Sequence, residues 1–224
     1  MKLTWIGQAG LLIRTQGLTI MIDPYLSDSV GKTDPSKSRR VPVEESLFDI
    51  TPDVLIVTHN HLDHFDPESM EKFLSKEGPI VVLSPSGSWQ KARAYGGAHN
   101  YVLFDRFTEW TEGNVRFSAV PAAHSDDHAI GVIIEAEGKR LYVTGDTLYN
   151  KTILTALPQS IDYIVLPVNG VGNNMNMADA ARFAADCGAK CAIPVHVGMM
   201  DGLSAASFPF EPKIIPEIYK ETEI

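Results

Sequence analysis

The segment Thr58-His59-Asn60-His61-Leu62-Asp63-His64-Phe65-Asp66 constrains this chain more than any other part of it. Three imidazoles and two carboxylates fall within nine residues. They follow directly on Val54-Leu55-Ile56-Val57, an apolar β-branched run that reads as a buried strand. The polar segment is therefore the loop that leaves a core strand. Packing gives no reason to gather such groups there. Buried histidine and aspartate need partners, and a metal ion can satisfy several of them at once. If the backbone stays extended, the side chains of 59, 61 and 63 share one side, and a turn is needed to bring in His64.

The same arrangement recurs along the chain in weaker form. Asp23 follows the apolar run 18–22, His124 follows 115–120 and a short Pro-Ala-Ala link, and Asp146 follows 141–144 and Gly145. Asn169 follows 163–168, and His196 follows 191–195. Any one of these alone is more simply a hydrogen-bonded core or surface residue. Together they describe side chains carried on strand ends, where a sheet fixes loop positions well enough to build a site.

Around these points the chain reads as a mixture of hairpins and strand–helix units. Residues 3–6, 11–15 and 18–22, broken by Gly7-Gln8-Ala9-Gly10 and Gln16-Gly17, predict an antiparallel meander. Residues 27–46 read as a long surface loop. Asp66-Pro67 looks like an N-cap and first helical position for a helix to about residue 75. Strand 80–83 and helix 88–95 follow, with Gly96-Gly97 as its stop. Strands are expected at 115–120, 129–135 and 140–144, with Glu137-Gly138 as a hairpin turn. A helix at 150–157, a strand at 163–168, an alanine-rich helix at 177–187 and a strand at 191–195 complete the pattern, and 211–221 reads as a terminal helix. We expect one domain over residues 1–224.

Composition bounds the function. The chain of 224 residues is 44% hydrophobic with net charge −9 and has no block of like charges, which argues against a nucleic-acid backbone as its main partner. Every apolar run is strand-sized, so a membrane span is not expected, and the N-terminal residues lack a signal-peptide core. Cys187 and Cys191 have neither zinc-knuckle nor disulfide-framework spacing; they read as buried free thiols of a cytoplasmic protein. A homo-oligomer is compatible with all of this.

His59-x-His61-x-Asp63-His64, then His124, then Gly145-Asp146-Thr147, then His196, resembles the metallo-β-lactamase superfamily in order and spacing across nearly the whole chain. The resemblance implies an α+β fold, a four-layer αββα sandwich, with a dinuclear metal site along one sheet edge. A narrower likeness, carried by Ile22-Asp23-Pro24, Pro167-Val168-Asn169-Gly170, Asn176-Met177-x-x-Ala180 and Pro194-Val195-His196, is to the branch that includes L-ascorbate-6-phosphate lactonase and related uncharacterised metal-dependent hydrolases.

Carried over, the pattern implies that His59, His61 and His124 bind one metal and that Asp63, His64 and His196 bind the second, with Asp146 bridging. Two divalent ions, zinc or manganese with iron also acceptable, would then present a metal-bound hydroxide to a lactone, ester or phosphoester of a small metabolite. Asp63 and Asp146 become the catalytic carboxylates, Asp63 orienting the nucleophile or moving its proton. Asp23 is expected to hold a ligand imidazole or a loop. Asn169 is either a substrate contact or a turn former, and His128 either lines the site or belongs to a hydrated loop. His99 reads as surface, Trp5, Trp89 and Trp110 as packing residues, and Lys32, Lys37, Arg39 and Arg40 as a solvated loop within reach of an anionic substrate group. The rival readings are a mononuclear iron dioxygenase of the same superfamily, a nuclease, and a binding module that kept the fold.

Overall fold

Each half of the chain lays down an antiparallel meander and then parallel strands joined by helices. The computed structural model describes all 224 residues. The first half runs through β1 (Lys2–Gly7), β2 (Gly10–Thr15), β3 (Leu18–Ile22), α1 (Ser29–Thr33), β4 (Val54–Ile56), α2 (Pro67–Leu74), β5 (Val81–Ser84), α3 (Ser86–Arg93) and β6 (Asn100–Leu103). The second runs through β7 (Glu109–Glu112), β8 (Val115–Pro121), β9 (Ile130–Ala136), β10 (Lys139–Val143), α4 (Lys151–Leu154), β11 (Tyr163–Pro167), α5 (Met177–Asp186) and β12 (Cys191–Val195), and β13 (Glu221–Glu223) returns to pair with β1. The sheet orders are β13-β1-β2-β3-β4-β5-β6 and β12-β11-β10-β9-β8-β7.

Strand alternation decides the layers. Leu11 and Ile13 of β2, Val54 and Ile56 of β4, and Leu141 and Val143 of β10 point into one core between the sheets. Leu12, Leu55 and Val82 face outward under Met70, Phe73 and Leu74 of α2. Tyr142, Ile164 and Leu166 face outward under Ala180, Phe183 and Ala184 of α5. A period of two with both faces apolar needs a cover on each side, and each such buried side chain contributes about 1.5–3 kcal/mol. The result is the expected αββα sandwich. Glu137 and Gly138 take φ of +55° and +71°, the paired left-handed geometry of a tight hairpin turn between β9 and β10.

Two expectations fail, and two strands were not expected at all. Residues 211–221 are not a helix. Pro212 and Pro216 remove the donors a helix needs, and the segment runs extended, with the Ile214 amide donating to Ala192 and the Tyr219 amide to Trp5. The 27–46 segment is more than a surface loop, since it contains α1 and buries Ser27, Ser29 and Gly31. Strands β6 and β7 escaped notice. Both are four-residue edge strands with polar or half-exposed side chains, so neither shows a core-strand pattern.

Candidate metal centre

β4 ends at Ile56, and the chain leaves it into the centre. The Thr58 amide and hydroxyl both donate to the Asp23 carboxylate, at 2.8 and 2.6 Å, and Asp23 Oδ2 lies 2.8 Å from His64 Nδ1. Asp23 therefore contacts both the strand exit and one imidazole. The extended backbone stops early: the amides of His64 and Phe65 donate to the His61 carbonyl, closing a turn over 61–65. Asp63 thus reaches the centre from this turn and not from an extended strand, and the same turn delivers His64.

The second sheet supplies the rest. Gly145, two residues past β10, has φ +61°, and a Cβ there would stand 2.7 Å from the Ile130 carbonyl oxygen, so only glycine fits ahead of Asp146. Asp146 Oδ1 lies 3.3 Å from His64 Nε2; its Oδ2 lies 3.3 Å from His196 Nε2 and 4.0 Å from His124 Nε2. His196, just past β12, adopts φ +56°. His124 Nε2 is 3.0 Å from His61 Nδ1, and its other nitrogen is 3.3 Å from the Asn173 carbonyl. Asp23 also has positive φ, +44°. Left-handed backbone at non-glycine residues of such a centre is strain that the surrounding hydrogen bonds hold in place.

All seven expected ligands converge, and five of the seven histidines in the chain are among them. Three groups have donor atoms within 4.8 Å of one another: His59–His61–His124, His59–His64–Asp146 and Asp63–His64–His196. Asn169 comes to the centre too, with its amide nitrogen 3.2 Å from His196 Nδ1. His128 stands apart on the exposed rim, its Nδ1 bonded to the Ser86 hydroxyl. Three of the four loop cations point elsewhere: Lys32 pairs with Glu68, Lys37 with Asp34, and the Arg39 guanidinium donates to Tyr25 O and Tyr219 Oη.

Several supporting residues were given no role by the sequence, although Thr147 lies in the Gly145-Asp146-Thr147 motif. Asn174 donates to Asp146 Oδ2 at 2.7 Å while its oxygen accepts the Thr147 amide. Thr147 Oγ1 accepts the Ala123 amide beside His124. Asp126 accepts the Asn60 amide at 2.9 Å, tying the histidine loop to the second sheet. Gln8, only 4% exposed, donates to Asp63 at 2.8 Å. They are polar residues of the loops between strands, and that feature by itself is too common to select them. Asp66 does not cap its helix through its side chain; it accepts the Ser27 and Ser69 hydroxyls and anchors the loop.

The electrostatics are those of a cation site. Burial holds the His59 imidazole well below its ordinary pKa, so it stays neutral and able to coordinate. Burial also opposes charge on His64 and His196, but Asp146 and its neighbouring carboxylates outweigh it: His64 is raised well above its usual value and His196 is pushed up to about 10. Burial raises Asp63 and Asp146, yet these imidazoles overcome it and hold both carboxyls below the usual range. The residues fit a metal. Nε2 of His59, Nε2 of His64 and Oδ1 of Asp146 are buried with no hydrogen-bond partner. The 3.3 Å approach of the last two lacks hydrogen-bond geometry. Orphaned groups of this kind cost about 1–3 kcal/mol each, and a shared divalent cation removes that penalty.

Fold and centre together define a class, the metal-dependent hydrolases of the β-lactamase sandwich. Residues 2–196 match the Beta-lactamase superfamily domain, and the chain belongs to that family. It is a metal-dependent hydrolase of that superfamily. It is 32% identical to a UPF0173 metal-dependent hydrolase from Ligilactobacillus salivarius, over 88% of this chain and 84% of the relative. It is 30% identical to another from Geobacillus thermodenitrificans, over 88% and 85%. Among solved structures, the isothiocyanate hydrolase from Delia radicum gut bacteria superposes with TM-score 0.77 at 19% identity, over 100% of this chain and 99% of that one. A metallo hydrolase from Ignicoccus hospitalis superposes with TM-score 0.68 at 20% identity, over 87% and 82%. No helix is long and apolar enough to cross a membrane.

Proposed function

We propose that the centre holds two divalent ions, zinc or manganese with iron also acceptable, and hydrolyses a lactone, ester or phosphoester of a small metabolite. His59, His61 and His124 form one ligand set and Asp63, His64 and His196 the other, with Asp146 between them. The overlap of the three donor groups carries this reading: the middle group, His59–His64–Asp146, shares one member with each of the others. When bound, such ions polarise the electrophile and lower the pKa of water to about 7.

The chain's own groups divide the remaining work. Asp63 is the only partly exposed carboxylate of the cluster, so its Oδ2 is the atom placed to accept a proton from the nucleophile and return it to the leaving group. Asp146 is buried and pinned by Asn174, which suits a fixed position between the two sets. Asn169 meets the substrate beside His196, and His128 on the rim meets it as it enters. The engagement of Lys32, Lys37 and Arg39 away from the centre favours an uncharged carbon electrophile over a phosphoester. The fold likeness to an isothiocyanate hydrolase supports the same preference. We place the reaction in the cytoplasm, where the free thiols of Cys187 and Cys191 persist, with a small molecule and not nucleic acid as partner.

Metal analysis combined with a panel of lactones, esters and phosphodiesters tests the proposal. Activity should vanish on chelation and return with zinc or manganese. Full activity in a metal-free sample ends it, and iron accompanied by dioxygen uptake reassigns the protein to the oxygenases.

A further inference from the structure

We propose that Gln8 is a positioning residue for the Asp63–His64–His196 set, a side chain that orients Asp63 and links it to His196 on the second sheet. The inference rests on the two-ion reading and adds to it an asymmetry between the two sets.

Gln8 and Ala9 form the tip of the β1–β2 hairpin, where Gly7 pairs with Gly10. A polar side chain on a two-residue hairpin tip ordinarily faces water. This one is buried, and its backbone sits at φ +51°. Its carbonyl accepts two donors, the Trp5 indole N–H at 2.8 Å and the His196 amide at 3.0 Å. These two bonds over-determine the strained backbone and aim the side chain inward. They also fasten the end of β12 to the first sheet at the residue that carries the imidazole.

The side chain completes the link. Its amide nitrogen lies 2.8 Å from Asp63 Oδ2, and 3.2 and 3.1 Å from Nδ1 and Nε2 of His196. The reversed amide would set its oxygen against the carboxylate, acceptor against acceptor, so the donor must face Asp63. A neutral donor to a carboxylate is charge-assisted and holds it in one orientation. Asp63 Oδ2 is in turn 3.3 Å from His196 Nε2. Gln8 therefore forms the third corner of a triangle with two members of one ligand set. None of its hydrogen bonds reaches His59, His61 or His124.

The consequence is selective. Outer partners of this kind typically change metal affinity by about 10–100-fold. Removing the Gln8 amide should weaken one ion by that factor and leave the other alone. Gln8→Met keeps the length and bulk and loses only the donor, whereas Gln8→Ala loses both. Chelated wild type, Gln8→Met and Gln8→Ala are titrated with zinc alone by calorimetry, and metal per chain is measured after dialysis. The expected result is two ions in wild type. Gln8→Met should keep one at wild-type affinity and bind the second about 10–100-fold more weakly, with unchanged circular dichroism and melting of the metal-free protein. Gln8→Ala is read in the same way where Gln8→Met is poorly folded. Wild-type affinity for both ions in Gln8→Met overturns the inference, as does equal weakening of both ions. Failure of both variants to fold also overturns it, because Gln8 then serves the fold and not the centre. A wild-type protein that takes up fewer than two ions of either zinc or manganese sinks the two-ion reading itself, a result distinct from these.

Discussion

The two halves of the molecule build their shares of the centre in opposite ways. The first half delivers His59, His61, Asp63 and His64 from one loop after β4, shaped by its own turn and by Asp23. The second half delivers His124, Asp146 and His196 from three loops that follow β8, β10 and β12. Its geometry is held by bonds between loops: Thr147 to Ala123, Asn174 to Asp146, Asn173 to His124. A contiguous motif carries its geometry locally, whereas a dispersed set inherits it from strand register. The contrast is incomplete, since Asp126 accepts the Asn60 amide and the Ile130 amide donates to Thr58, so the local motif also leans on the second sheet.

Ligand removal should erase the difference between the halves and have the largest effect. His59→Ala and Asp146→Ala should each lose metal and activity together, by more than the roughly 10–100-fold expected of an outer partner. Elemental analysis alongside turnover checks this, and retention of metal by either variant breaks the symmetry. Gly145→Ala strikes the dispersed half through its backbone. The left-handed φ and the 2.7 Å approach to Ile130 should cost about 1–3 kcal/mol, or roughly 2–12 °C in Tm for a chain of this size. Calorimetric melting decides it.

A paired comparison sharpens the contrast. Asn174→Ala should lower metal affinity about 10–100-fold, and Asp126→Ala by less, because the turn at 61–65 keeps the first-half motif in shape without it. Equal losses, measured by zinc titration, would mean that the motif is no more self-sufficient than the dispersed set. The smallest effect concerns thiols. Both cysteines lie in the second half, and burial pushes Cys187 up to about 12. A raised pKa means that the reactive thiolate is scarce below it, only about one part in 10⁴ at pH 8. Cys187 should therefore resist alkylation in the metal-loaded protein and label faster after chelation, if the metal helps to fasten the second half. Mass spectrometry at timed intervals reads this out.

The legibility of the sequence follows the same division. Residues 58–66 could be read as a ligand loop because strand and ligands are adjacent, and local patterns survive without tertiary information. Asp146 and His196 were legible only through their place after apolar runs and through family resemblance. Gln8 and Asn174 were not, because a buried amide in a turn looks like any turn residue until its partner is known. The same limit explains β6, β7 and the segment 211–221. Edge strands lack the two-faced apolar code, and an apolar spacing that suits a helix yields to Pro212 and Pro216 once β12 and β1 offer backbone partners.

By itself the sequence determined strands and helices in an order that calls for layered sheets with helices outside, and it determined which residue types could bind a cation; the four-layer sandwich rested on the family resemblance. Only the folded chain decided which of them meet. Convergence depends on how the sheet of β8, β10 and β12 packs over the sheet of β4 and on left-handed backbone at Asp23, Gly145 and His196. Those are long-range properties, set by how two sheets close on a common core, and no stretch of neighbouring residues encodes them.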